Sequence, residues 1–255
     1  MCKILAIHAF VQFGNPSANA EWICRQLRGC AQLAPDLVVT PELALTGHPM
    51  LNQRLPWDAL ATESAIDLVA HTADELGIAV LLGTLHSAPH YPAPTNALLL
   101  LNKGQRTLVC EKHRQRHLPE GHSLVDDYAY GVTREGFMAG DMPCAPLICA
   151  ESVDPDIVAA VKGLQPGLVV HPSAWGADDG EPYALTAARE SLFQAELVLV
   201  VNQTGAYLGQ WPHAETFVYQ RGEVLALAKG PEPRWLLLET EAGRQAQCRV
   251  LPAAA

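Results

Sequence analysis

The chain has 255 residues, is 49% hydrophobic and carries a formal net charge of -10, from 17 Lys+Arg against 27 Asp+Glu. That length and apolar content suit one large α/β domain, residues 1–255, with a sizeable core. An acidic balance without a basic stripe or aromatic-basic interleaving excludes nucleic acid as an expected partner.

Seven cysteines, odd in number and scattered without a framework spacing, point to reduced thiols in a cytosol. The opening "MCKILAIHAFV" reads as a buried first strand and not as a signal peptide. No stretch approaches the roughly 20 apolar residues of a membrane span. A soluble, cytoplasmic protein without a membrane partner is the expectation.

In chain order, "KILAIHAF" predicts a strand and "SANAEWICRQLRGCAQL" an amphipathic helix. "DLVVTPEL" is a buried strand stopped by Pro41, and "ALATESAIDLVAHTADELG" a helix closed by Gly77. "IAVLLGTLH" and "NALLLLN" are strands, and "LNKGQRTLVCEKH" is a hairpin turning at Lys103-Gly104. "DPDIVAAVKGL" is a helix with Asp154 as cap and Pro155 in its first turn. "GLVVHPSAW" predicts a strand, "PYALTAARESLFQAE" a helix, "LVLVVNQTG" a strand and "ETFVYQRGEVLALA" a second hairpin; "RWLLLETE" is the expected last strand. "HSAPHYPAPTN" and "HLPEGHSLVDDYAYGVTREGFMAGDMP" are the long irregular stretches, and loops of that length often carry function.

Three strand ends bring reactive side chains to where α/β proteins form ligand crevices: Glu42 after "DLVVTP", Lys112 after "TLVCE" and Cys149 after "APLI". Singly, each has a plain reading: a solvated loop carboxylate, a protective edge charge, a small hydrophobe. Together they have a chemical logic. A thiol becomes a strong nucleophile when a carboxylate accepts its proton, and that carboxylate needs a raised pKa, which burial supplies. An ammonium opposite them can stabilise the oxyanion of a tetrahedral intermediate.

At these residues the chain resembles the nitrilase, or carbon–nitrogen hydrolase, superfamily. "DLVVTPELALTGHP" is close to the signature holding that family's general-base Glu, and "PLICAES" resembles the one holding its nucleophilic Cys. "NPSANAEWI", "YPAPTNALLLLNKGQ" and "VVNQTG" extend the match over roughly residues 1–240. "GLVVHPSAWGADDGEPYALTAARESLFQAELVLVVNQTG" resembles the soluble domain of apolipoprotein N-acyltransferases, and "PELALTGHP" the glutaminase domain of glutamine-dependent NAD synthetases. The resemblance implies a four-layer α-β-β-α sandwich, a homodimer or larger assembly, and no metal or cofactor. It also implies a Glu42–Lys112–Cys149 triad that forms a thioester-type acyl-enzyme on a small-molecule amide or related substrate.

The family's lysine is followed shortly by His-Leu, and "EKHRQRHLPEG" offers two registers. Counting from the turn at Gly104 gives Lys112; counting back from "HLP" gives Gln115, which would leave the site without its cation. For an accessory carboxylate, Glu120 directly follows "HLP", and Glu135 is the other nearby acid. Glu151 is placed to orient the backbone after the nucleophile, whose N–H would be a second oxyanion donor. Trp175 falls where the family lines its pocket; His171 reads as structural, and Arg189 as a bond to loop backbone.

A papain-like Cys–His pair would leave Glu42 unexplained, and Cys144 with Cys149 lacks the spacing of a redox motif. No zinc-ligand spacing or glycine-rich phosphate loop occurs in the sequence. The competing readings are a catalytically silent binding protein of the same fold and a soluble N-acyltransferase using the same thioester chemistry.

Overall fold

The structure, a computed structural model, describes residues 1–48, 58–87, 93–113, 129–174, 197–204, 215–221, 223–241 and 246–254. Its strands are β1 (Cys2–Phe10), β2 (Leu37–Val39), β3 (Ala79–His86), β4 (Thr95–Asn102), β5 (Gln105–Glu111), β6 (Phe137–Ala139) and β7 (Met142–Pro146), followed by β8 (Leu168–Ser173), β9 (Leu197–Thr204), β10 (Glu215–Gln220), β11 (Glu223–Lys229), β12 (Arg234–Thr240) and β13 (Gln247–Pro252). The helices are α1 (Pro16–Cys30), α2 (Ala59–Leu76) and α3 (Pro155–Gly163).

Two sheets form from these strands. One runs β5-β4-β3-β2-β1-β12-β13 and the other β6-β7-β8-β9-β10-β11. Their inner strands are apolar on both faces because both faces are covered. Ile4 and Ala6 of β1 pack with Leu37, Val170 and Leu199 between the sheets, whereas Leu5 and Ile7 pack outward against α1 and α2. On the far side, Ile157, Val158 and Val161 of α3 cover Val169, Val198 and Phe217. Three apolar seams separate four layers: the α-β-β-α sandwich. The sheets meet where β1 and β9 pair in parallel at Ala9–Gln203 and Phe10–Thr204.

Local chemistry sets the element ends. Asp58 accepts from Ala61 N at 2.9 Å to start α2, and Gly77 closes it at φ +67. Lys103 and Gly104, both at positive φ, turn the β4–β5 hairpin. Asp154 caps α3 through Asp156 N and Ile157 N, with Pro155 in the first turn.

Two readings are corrected. "RWLLLETE" is not the last strand, because β13 pairs antiparallel with it. Its half-exposed, Arg-bearing sequence hides a strand at the sheet edge. The stretch before Cys149 also holds the β6–β7 hairpin, whose β6 is too short at three residues to register an alternating pattern. Gln115, Glu120, Trp175, Arg189 and the helix expected over 182–196 lie outside the described residues.

Candidate active site

Glu42 sits just beyond β2, where Pro41 ends the ladder. The segment lies flat on Gly83 of β3: a Cβ there would fall 2.1 Å from the Pro41 carbonyl oxygen and 3.0 Å from Leu43 N. Gly83 N donates to Thr40 Oγ1 at 2.9 Å, and Leu45 N donates to Gly83 O at 3.3 Å. This seat carries Glu42 into the interior, where it is 0% exposed.

Lys112 follows β5 and is buried; its Nζ donates to Glu42 Oε1 at 2.6 Å, and Asn96 Nδ2 donates to the same oxygen at 2.8 Å. Its backbone is held on both sides, by Lys112 N to Asn96 O at 2.8 Å and Gly131 N to Lys112 O at 3.2 Å. Gln203 Nε2 of β9 donates to the Glu42 carbonyl at 2.6 Å.

The electrostatics differ from what burial alone predicts. Burial pushes the Glu42 carboxyl up, but the Lys112 ammonium, aided by His48 and by hydrogen bonds from Lys112 and Cys149, brings it down to about 2. Glu42 is therefore a carboxylate at neutral pH. The expected raised pKa does not occur, because an adjacent opposite charge outweighs the loss of water.

Cys149 opens a 3-10 turn, Cys149–Val153, with two residues between it and the end of β7, at φ +49. This left-handed conformation is uncommon for a side chain with a Cβ and marks a sharp turn held by its surroundings. The Cys149 carbonyl accepts from His171 Nε2 at 2.8 Å and Ser152 Oγ at 3.2 Å. Because a carbonyl only accepts, His171 carries its proton on Nε2. Burial lowers that imidazole to about 4, so it is neutral. Burial and then the Glu42 charge push the Cys149 thiol up, while Lys112 and the Ala174 backbone N–H act the other way. At rest the site holds a thiol, a carboxylate and an ammonium group.

Glu151 lies in the same turn with its side chain 0% exposed. Its Oε1 accepts from His113 N and Arg134 Nη2, both at 2.7 Å, and its Oε2 from Ile148 N at 2.9 Å.

The structure thus brings Glu42, Lys112 and Cys149 together and places Glu151 within the nucleophile's own turn. Sequence reasoning gave no role to Asn96, Gln203, Gly83 or Arg134, and none to the His171–Cys149 contact. Asn96 and Gln203 did carry a signal, since each is a polar residue buried near the end of a largely apolar strand. Among the described residues no group of three or more His, Cys, Asp or Glu side chains is arranged to hold a metal ion, and no helix is long and apolar enough to cross a membrane.

The chain is similar in structure to the NitN amidase from Nesterenkonia sp. AN1, at TM-score 0.79 and 18% identity over 95% of this chain and 94% of that one. A variant of the same amidase in complex with butyramide aligns at TM-score 0.77 and 18% identity over 92% and 89%. The glutamine-dependent NAD+ synthetase from Acinetobacter baumannii aligns at TM-score 0.79 and 18% identity, over 100% of this chain and 48% of that chain. At such identity the likeness is one of fold. No curated protein matches in sequence. The carbon-nitrogen hydrolase family model matches residues 9–238, most of the chain. The chain belongs to the carbon-nitrogen hydrolase family.

Proposed function

We propose that the protein hydrolyses an amide-type carbon–nitrogen bond, other than a peptide bond, in a small molecule through a cysteine acyl-enzyme. One observation carries the reading: the 2.6 Å contact of Lys112 Nζ with Glu42 Oε1 in a buried site where both charges act on the Cys149 thiol. In this reading Glu42 takes the thiol proton as the sulfur adds to the amide carbon. The oxyanion forms opposite the Lys112 ammonium, with the backbone N–H after Cys149 as a second donor. Glu42 then protonates the leaving nitrogen, the C–N bond breaks and a thioester remains. Water attacks the thioester and gives its proton to Glu42; the thiolate leaves and takes that proton back.

The likeness to an amidase supports this reading, as does the structure of that amidase's variant showing Michael addition of acrylamide at its active-site cysteine. Assembly into a homodimer or larger and the absence of a cofactor belong to the same proposal.

The test pairs two measurements. Iodoacetamide at neutral pH should alkylate Cys149, 4% exposed, ahead of the more accessible Cys248. Butyramide should release ammonia with the parent protein and not with Cys149→Ala. Labelling that follows exposure alone, with no short amide hydrolysed, would favour a catalytically silent binding protein.

A further inference from the structure

A second buried ion pair, Glu151 with Arg134, holds both reactive strand ends by their backbone. Glu151 accepts from the backbone of His113, the residue after Lys112, and from that of Ile148, the residue before Cys149. One carboxylate therefore ties the end of β5 in one sheet to the end of β7 in the other. Arg134 fixes that carboxylate: Nη2 bonds Glu151 at 2.7 Å while Nη1 bonds Pro146 O, in β7, at 2.7 Å. Both side chains are buried, at 5% and 0% exposure.

Arg134 is itself anchored alongside β5, where it bridges to Cys110 and its neighbours bond back through Glu111 N to Thr133 O and Glu135 N to Val109 O. The Glu111 carboxylate reinforces this by accepting from Val132 N and Thr133 N at 3.3 Å. The planar guanidinium spans two acceptors at once, which a lysine ammonium in its place would do poorly.

We propose that Glu151 and Arg134 form a positioning pair that sets the separation between Lys112 and Cys149 across the two sheets. The Glu151 oxygens accept from three N–H groups of the protein, two of them backbone, so its place in this proposal is that of a positioning group and not of a proton carrier. Its effect on chemistry runs through geometry, and a misplacement near 1 Å is enough to cost roughly 10²-fold in rate. This inference rests on the reading of Cys149 as an activated thiol.

The experiment uses the full chain, with iodoacetamide as probe and mass spectrometry as readout, in Arg134→Lys, Glu151→Gln and Glu151→Asp. Thermal melting first establishes which variants are folded. In folded Arg134→Lys and Glu151→Gln, Cys149 alkylation at pH 7.5 should fall roughly 10- to 100-fold. Its pH profile should also change from that of the parent to the simple rise of an unassisted thiol. A pair that only stabilises the fold would lower melting and leave rate and profile as in the parent. Arg134→Lys and Glu151→Asp both keep the pair's charges and change only its reach, and Cys149 alkylation in folded Glu151→Asp should fall as it does in Arg134→Lys. Folded variants with Cys149 alkylation within twofold of the parent and the same profile would overturn the proposal. So would melting loss in every variant with parent-like labelling of the folded fraction. A parent in which Cys149 reacts no faster than Cys248 would instead overturn the proposed function.

Discussion

The Lys112 ammonium lies 2.6 Å from an oxygen of Glu42, and Glu42 is wholly removed from solvent. Each charge offsets part of the cost of burying the other. Burial works to protonate the carboxyl and the ammonium works to keep it ionised.

Lys112→Met should therefore act through Glu42. With its largest opposing charge gone, burial raises the Glu42 carboxyl, and to the extent that it holds a proton it has no room for the one on Cys149. Iodoacetamide labelling of Cys149 should fall by roughly 10²-fold or more. Breaking the buried pair should cost about 3–5 kcal/mol in denaturant unfolding. Adding Glu42→Gln should recover most of that stability and none of the reactivity. Parent-like labelling in Lys112→Met would place the activating cation elsewhere.

Stability should fall with acid in two overlapping stages. His171 and His8 are held below the ordinary value of 6.5 by burial, His171 at about 4. The unfolded chain takes up those protons first, so stability declines as pH drops below 6.5 and levels off for His171 near pH 4. Glu42, lowered from 4.5 to about 2, contributes stability above pH 4.5 that is lost between those values. Urea midpoints between pH 7 and 3 test the order, and His171→Gln should shrink the first stage only. A flat midpoint from pH 7 to 4 would contradict the burial of neutral imidazoles.

Much of this architecture was legible because it depends on local rules. Pro41 ends β2, Gly77 closes α2, Lys103-Gly104 turns a hairpin and Asp154 caps α3; each needs only its own backbone. The positions of Glu42, Lys112 and Cys149 at strand ends follow from the same punctuation. What lay beyond reach depends on distance in space. Whether Glu42 is solvated, and which way its pKa moves, is decided by an ammonium 70 residues away. The contacts of Arg134 with Glu151 and of His171 with Cys149 span 17 and 22 residues and leave no periodic trace.

Gly83 should also prove necessary to Glu42, with a smaller effect than that of its charge partner. A methyl group there meets the Pro41 carbonyl oxygen at 2.1 Å, a backbone atom that cannot rotate aside, so the Glu42 segment must lift. Gly83→Ala should cost about 1–3 kcal/mol by overpacking. It should also slow Cys149 labelling roughly tenfold through misplacement of the base. Gly163→Ala, with nothing within 4 Å of the added carbon, is the control and should leave labelling unchanged. Equal behaviour of the two variants, by melting and labelling, would dissociate Gly83 from the seat of Glu42.

The nucleophile's own backbone supplies the last test. At φ +49, Cys149 sits where any Cβ is crowded by its following carbonyl, at a cost of roughly 1–2 kcal/mol. His171 and Ser152 hold its carbonyl and Glu151 holds Ile148 N, so the turn keeps this conformation whatever the side chain. Cys149→Ala keeps the Cβ and hence the strain, whereas Cys149→Gly removes both. Glycine's greater freedom in the unfolded chain offsets part of the relief, so a net advantage of about 1 kcal/mol over alanine is expected. In a chain of this length that corresponds to a melting temperature roughly 2–4 °C higher for Cys149→Gly than for Cys149→Ala. Both variants should be inert to butyramide. An alanine variant melting above the glycine one would mean that the turn relaxes once the thiol is gone, and that the strain belongs to the sulfur's contacts and not to the backbone.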